Sequence, residues 1–426
     1  MGDGGSQALV LGFDEALAVV LRHAAGIGVP AAETVELLES VGRVLAENVV
    51  ADRDMPPFDR ATRDGYAVRA AEWSGGKRLR VVGQARAGEA WAGGAVSSGC
   101  AVEIMTGAAV PSGVDAVAMV EHVESSDGEV WAAAGRGLAA GENFVPRGSE
   151  ARRGDVLSSA GAAVGAAEIA VGAACGYATL RVRPRPLVAI VATGDELVEV
   201  AEVPGDRQIR NSNGYALAAL VAAAGGHPGR LGIARDTRED IRARIGEGRQ
   251  SDLLLLSGGV SAGKYDLVEE VLAELGAEFL ITGVRMQPGR PVVFGRLRRS
   301  EPASQRVSEL AEERGWTYFF GLPGNPVSTE VTFHCFVEPM LRATCGAAVA
   351  GPRFAQATLA EAVKSKAGLT RLLPARLTSS LERPEVRLVG WQGSGDLAAN
   401  ARANCYAVLP DGRELAAGDV ITVLLR

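Results

Sequence analysis

Residues 251–266 read SDLLLLSGGVSAGKYD. The four successive leucines, Leu253 to Leu256, form a short apolar run without alternation, the pattern of a strand covered on both faces in a parallel sheet. A turn follows at once, in which Gly258, Gly259 and Gly263 allow positive φ and close backbone approach while Ser257 and Ser261 supply hydroxyls. Asp266 then opens LVEEVLAELG, whose apolar period predicts a helix ending at Gly276. Strand, Gly-rich turn and helix start in this order aim backbone N–H groups at an anion. Many α/β proteins use the same turn without a ligand, so by itself the stretch stands equally for a phosphate cradle and for a plain connection. It also matches G-x-x-x-x-G-K through Gly258, Gly263 and Lys264, but Tyr265 occupies the place of the Mg²⁺-binding Ser or Thr. That departure argues against a P-loop nucleotide hydrolase.

Upstream the pattern repeats. LVAIVATGDEL (187–197) reads as a buried strand, a Gly turn and the acids Asp195 and Glu196, and a helix is expected from Ser212. The strand GRLGIARD and the helix REDIRARIGEG follow it. Strands and helices alternating over short links imply right-handed crossovers and a parallel sheet, and the domain is expected to be doubly wound. Ligands of such sheets bind beyond the carboxyl ends of the strands, where Gly194, Glu196, Asp236 and residues 257–266 fall. Downstream, VRMQPGRPVVFGRL places a Pro-Gly turn among Arg285, Arg290, Arg296, Arg298 and Arg299, a local positive field in a chain of net charge −7. Residues 301–315 read as a charged surface insertion. GLPGNPVSTEV then sets Asn325, Ser328 and Thr329 at the mouth of a helix.

Further out, Phe13 to Ala24 and Glu39 to Glu47 have helical character, and a polar loop before Gly65 carries Asp59, Arg60, Thr62, Arg63 and Asp64. Between Arg78 and Ala140 short strand-like runs alternate with Gly, Pro and Ser clusters, and Thr106 sits at one strand end. The fold class expected is multidomain α/β. A helical connector or dimerisation domain would comprise 1–50 and 141–180, with a β-rich domain inserted at 51–140. A doubly wound, mostly parallel sheet domain follows at 181–346 and a small β domain at 347–426.

At 426 residues, 47% hydrophobic and 22% charged, the chain can bury proper cores without staples. The five cysteines lack C-x-x-C spacing and the four histidines form no ligand pattern beside them, so neither a zinc site nor a disulfide framework is expected. The acidic balance speaks against nucleic-acid binding, and no stretch approaches the ~20 apolar residues of a membrane span. With no basic leader, a cytoplasmic location is the expectation. Glu196, Asp236 and Asp266 at strand ends suit a hard cation such as Mg²⁺, whereas backbone N–H groups and arginines suit phosphate or a tetrahedral oxyanion. No Ser-His-Asp set is present.

Eight motifs in order carry a resemblance over nearly the whole chain. They are DGYAV (64–68), IMTGAAVP (104–111), GEN (141–143), ATGDEL (192–197), NSNGY (211–215), SGGVSAGKYD, MQPGRP and GLPGNPVS. Each is weak alone, but together they resemble the molybdopterin molybdenumtransferases, the MoeA and gephyrin E-domain family. The resemblance implies insertion of molybdenum from molybdate into the dithiolene of adenylylated molybdopterin, Mg²⁺-dependent, with release of AMP. It also implies a homodimer in which Asp64 and Thr106 act across subunits on a site holding Glu196, Asp236 and Asp266. By motif match the cofactor-binding set is Gly194, Ser257, Gly258, Gly259, Ser261, Gly263, Arg290, Pro323, Asn325, Pro326, Ser328 and Ser394. The dithiolene would supply the sulfur ligands, which fits the lack of cysteine clusters. Molybdopterin adenylyltransferase and molybdoenzyme apoproteins are the protein partners it suggests.

Two departures stand out. Arg63 replaces a common Met, and MQPGRP carries Gln287 and Arg290 where many members have lysines, which leaves Arg285 as a substitute cation. A molybdopterin adenylyltransferase would share the sheet domain, and a non-catalytic gephyrin-like scaffold would share the whole architecture. The length and SGGVSAG speak against the first, and no receptor-facing feature is legible for the second.

Overall fold

The computed structural model describes residues 10–259, 267–299, 315–348, 351–364, 366–378 and 382–426. Two units divide the chain: Glu47–Ala160 with Ala166–Leu180, and Met1–Ala46, Gly161–Gly165 and Arg181–Arg426. The first helix, α1 (Phe13–Gly26), belongs to the larger unit, and the Glu15 carboxylate accepts the Gly12 N–H at 2.8 Å at its start.

In the smaller unit the short runs expected after residue 60 form a six-stranded sheet. Its strands are β1 (Gly65–Val68), β2 (Leu79–Ala85), β3 (Cys100–Ile104), β4 (Ala116–Met119), β5 (Val123–Ser126) and β6 (Glu129–Ala132), in the order β4-β1-β3-β2-β6-β5. Alternation along the strands serves two cores. Ala67, Val102 and Val117 face one, while Val68, Ala101 and Ala118 face the other with Trp73 of the short helix α2 (Ala70–Ser74). Gly65 is obligatory where β1 is squeezed between β3 and β4: a Cβ there would lie 1.8 Å from the carbonyl oxygen of Ala118. Helix α3 (Ala166–Ala174) falls in the small-residue run read as connector.

The larger unit is built on a second six-stranded sheet. Its strands are β7 (Leu187–Thr193), β8 (His227–Ala234), β9 (Leu253–Ser257), β10 (Glu278–Ile281), β11 (Val293–Arg298) and β12 (Trp316–Leu322), in the order β8-β7-β9-β12-β11-β10. The β8, β7, β9 and β12 pairings are parallel, and β11 and β10 extend the sheet antiparallel. The leucines of β9 are fully buried on alternating sides. Leu253 and Leu255 face a core with α1, α4 (Ser212–Ala223) and α8 (Glu338–Thr344), whereas Leu254 and Leu256 face α5 (Arg238–Gly248) and α6 (Leu267–Glu274). Burial of each leucine stabilises by roughly 2 kcal/mol gross, and the double cover explains why the run does not alternate with polar residues.

Local patterns mislead in two places. Phe13, Ala16, Val20 and Ala24 of α1 pack into the core of this sheet, so residues up to 46 group with the α/β unit and not with a connector. Residues 39–47 hold only the end of a 3-10 turn, Leu37–Ser40; Val44 and Leu45 form bridges with Ala163 and Val182, long-range pairing that overrides a weak helical preference.

After β12 the chain enters α7 (Pro326–Thr332), continues through a π-helical turn (Phe333–Val337) and leaves through α8. The last strands are β13 (Phe354–Leu359), β14 (Thr370–Leu377), β15 (Glu385–Leu388), β16 (Cys405–Leu409) and β17 (Val420–Leu425). They run β14-β15-β13-β17-β16, and a β14–β16 pairing closes the ring. The stretch QGSGDLAANAR contains a helix, α9 (Leu397–Arg402), whose first turn is capped by Asp396 accepting from Ala399 N–H at 2.9 Å. Among the described residues no helix is long and apolar enough to cross a membrane.

Candidate functional site

A cavity of about 1330 Å³ opens at the carboxyl ends of β7, β9 and β12, and beside the turn after β8. Gly194, Glu196, Asp236, Ser257, Gly258, Gly259, Pro323, Asn325 and Pro326 all line it. The turn after β9 takes its shape from close approach: Gly258 has φ +96°, and a Cβ there would meet the Thr193 carbonyl oxygen at 2.6 Å. Beneath it the Thr193 hydroxyl is buried without a hydrogen-bond partner among the described residues. Gly194 has φ +145°, a conformation that suits glycine, and a Cβ there would meet only the end of the exposed Glu196 side chain.

One residue of the wall was not read as a site residue. The Asn213 carboxamide donates to the Ser257 hydroxyl at 2.9 Å and to the Gly324 carbonyl at 2.8 Å, so it ties the turn after β9 to the turn after β12. Its signal was present in NSNGY: Asn211 caps α4 by accepting from Gly214 N–H at 2.9 Å, which places Asn213 in the first turn. At the neighbouring strand end Asp195 and Asp236 each accept the other's backbone N–H at 3.3 Å, which sets the Asp236 loop. The exposed carboxylates of Glu196 and Asp236 have no ionic partner among the described residues.

Of the expected arginine field, none lines the cavity. Arg285 lies 3.6 Å from Glu15, Arg296 pairs with Glu278 at 2.6 Å, and Arg299 pairs with Asp252 at 2.8 Å. Arg296 and Arg298 both cover the Trp316 ring, and Arg290 is exposed. For Arg296 the cause is the antiparallel β10–β11 edge, which sets it opposite Glu278 on the flank of the sheet. The cations in the cavity wall are Arg210 and Arg238. Arg238 is engaged by Glu270 and Glu274, while Arg210 gives its Nε–H to the carbonyls of Val200 and Glu202. Ser328 is buried in α7, and Ser394 meets that helix through its carbonyl, which accepts Val327 N–H at 3.0 Å. Ser261, Gly263 and Asp266, with Lys264, lie outside the described residues.

Asp64 and Thr106 stand together in the smaller unit, where Thr106 N–H donates to the Asp64 carboxylate at 2.6 Å. That backbone hydrogen bond, with a second from the Thr106 hydroxyl, holds Asp64 below the usual aspartate range. It is a carboxylate at neutral pH.

Three family models match in succession: the MoeA N-terminal region (domain I and II) over residues 11–176, a probable molybdopterin binding domain over 189–343, and the MoeA C-terminal region (domain IV) over 356–425. A molybdopterin molybdenumtransferase of Staphylococcus aureus (strain N315) is 34% identical over 92% of this chain and 90% of its own length. One of Staphylococcus epidermidis (strain ATCC 12228 / FDA PCI 1200) is 32% identical over the same shares. Among solved structures, the molybdopterin biosynthesis MoeA protein of Pyrococcus horikoshii OT3 superposes with a TM-score of 0.74 at 26% identity, covering 98% of this chain and 100% of that one. With matches that run from residue 11 to residue 425, and with a sheet-end cavity inside the molybdopterin-binding segment, the chain belongs to the MoeA family.

Proposed function

We propose that this chain transfers molybdenum from molybdate to the dithiolene of adenylylated molybdopterin, with release of AMP, as a step of molybdenum cofactor biosynthesis. The observation that carries the reading is the cavity itself. Within a segment matching a molybdopterin-binding domain, it combines a turn of close backbone approach, two unpaired carboxylates and an Arg210 free of acidic partners among the described residues. A volume of about 1330 Å³ has room for a pterin with its nucleotide.

The donor set suits Mg²⁺. This ion is held by one or two carboxylates and completes its shell with water and substrate phosphate, and Glu196 and Asp236 are the carboxylates the wall offers. Asp266, proposed as a third ligand, lies outside the described residues. When bound, Mg²⁺ would neutralise phosphate charge. The chain's own part is positional: Asn213 holds the Ser257 and Gly324 turns at a fixed separation, and the N-terminal turn of α7 with Asn325 presents polar groups at the rim. Molybdate, an oxyanion, needs a cation, and Arg210 in the cavity wall supplies it.

The remaining assignments rest on the resemblance: a homodimer, with Asp64 and Thr106 of one copy serving the other copy's cavity, and a cytoplasmic location. Purified protein incubated with adenylylated molybdopterin, Mg²⁺ and molybdate should release AMP and yield a molybdenum-loaded pterin that reconstitutes an apo-molybdoenzyme. AMP release no faster than in a protein-free control would overturn the reading.

A further inference from the structure

A second cavity, of about 620 Å³, lies in the larger unit and shares no lining residue with the first. It is bounded by α4, by the helical run from α7 to α8 and by the loop at residues 42–44. Its wall is strongly cationic, with five arginines against Glu330 and Glu338. Three of the five are neutralised locally: Arg43 by Glu33, Arg426 by Glu330, and Arg353 by Glu338 at 3.5 Å. The other two hold unspent donors. Arg183 gives one N–H to the Pro30 carbonyl at 2.9 Å, and half-buried Arg342 makes a single marginal hydrogen bond, to the Gly351 carbonyl at 3.5 Å. Neither has an acidic partner within ion-pair distance among the described residues.

Between these groups stands His334, 4% exposed, on the π-helical turn. Its Nδ1 is bonded to Glu338 at 2.8 Å, and Nε2 faces Glu330 at 3.8 Å, an ionic contact longer than a hydrogen bond among the described residues. A buried imidazole N–H without a close hydrogen bond has donor capacity to spare, and π-helical turns concentrate at functional sites. Leu220 and Phe333 give the cavity an apolar side. Its volume is within the range of small-molecule sites, and a guanidinium with free donors binds carboxylate or phosphate in a bidentate manner.

We propose that this cavity is a second small-molecule site that takes an organic anion, its carboxylate or phosphate head on Arg342 and Arg183 beside His334 and its apolar body against Leu220 and Phe333. The site is independent of the reaction proposed for the first cavity. Calorimetric titration of the full chain with benzoate and, separately, phenyl phosphate tests it and tells the two head groups apart, with benzyl alcohol as the uncharged control. At least one anion should bind with one equivalent per chain and clearly more tightly than the alcohol. Arg342→Ala should weaken that binding about tenfold or more, and Ala223→Trp, which fills the cavity from α4, should abolish it. Melting curves show whether each variant is folded, and either folded variant suffices. Absence of binding by both anions up to about 10 mM, or unchanged binding in a folded variant, overturns the proposal.

Discussion

Asn213 and Ser257 are 44 residues apart, yet a 2.9 Å hydrogen bond joins the carboxamide of one to the hydroxyl of the other. A second bond, from Asn213 to the Gly324 carbonyl, makes this side chain the clamp between two cavity turns. Asn213→Ala should cost about 1–2 kcal/mol in stability, because it leaves a part-buried hydroxyl and a carbonyl without a partner. It should lower AMP release by about tenfold or more through loss of positioning. Denaturant unfolding beside initial rates separates the two effects; wild-type kinetics would show that the clamp is unimportant.

Glu196 and Asp236 are the carboxylates of the cavity wall without cationic partners among the described residues. Replacing either with its amide removes a charge that a hard cation uses and leaves the shape nearly intact. Glu196→Gln and Asp236→Asn should each raise the Mg²⁺ concentration needed for half-maximal rate by about tenfold or more, with little change in melting temperature. Equal Mg²⁺ dependence in wild type and both variants would remove these residues from the metal site.

Asp64 is held in its charged form by Thr106. Its folded-state value is depressed, so the carboxylate persists as pH falls through the ordinary aspartate range and is lost only below it. Thr106→Ala removes the hydroxyl and keeps the backbone N–H, so the acid limb of the rate profile should move to higher pH without vanishing. Mixing Asp64→Ala with Asp236→Ala protein should restore part of the activity that each lacks alone, as a homodimer with shared sites requires. No restoration under conditions where subunits exchange would argue for sites complete within one chain.

His334 sits between Glu330 and Glu338. Burial opposes its charge, but hydrogen bonds and attraction to the two glutamates outweigh burial and raise its pKa. For Glu330 and Glu338 burial likewise opposes the charge, and His334 with Arg426 or Arg353 draws their values down. The contribution from His334 is therefore full below its ordinary 6.5 and lost as pH rises through the raised value. That from the glutamates is full above 4.5 and lost as pH falls through the lowered ones. The melting-temperature deficit of His334→Asn should be greatest between these ordinary values and shrink toward alkaline pH. A deficit that grows with pH would mean that the imidazole is neutral in the fold.

Gly65→Ala places a methyl group on the Ala118 carbonyl, at a φ of +157° where only glycine is at ease. A loss of roughly 3 kcal/mol or more is expected, read as early melting or insolubility. Solubility and melting like wild type would show that β1 and β4 can separate.

What the sequence determined by itself was local and periodic. Four leucines between turn residues specified a doubly covered strand, Gly258 and Gly259 specified its turn, and alternating strand and helix patterns specified most of a parallel sheet with a cavity at its carboxyl ends. These are legible because strand and helix spacing repeat every two to four residues. Only the tertiary structure decided which distant groups meet. It set α1 on the α/β sheet, drew Arg296 and Arg299 away to Glu278 and Asp252, and closed the last strands into a ring. Pairings across 18 to 84 residues, such as Arg296 with Glu278 or Arg371 with Gln287, depend on how whole elements pack, and no short spacing encodes that.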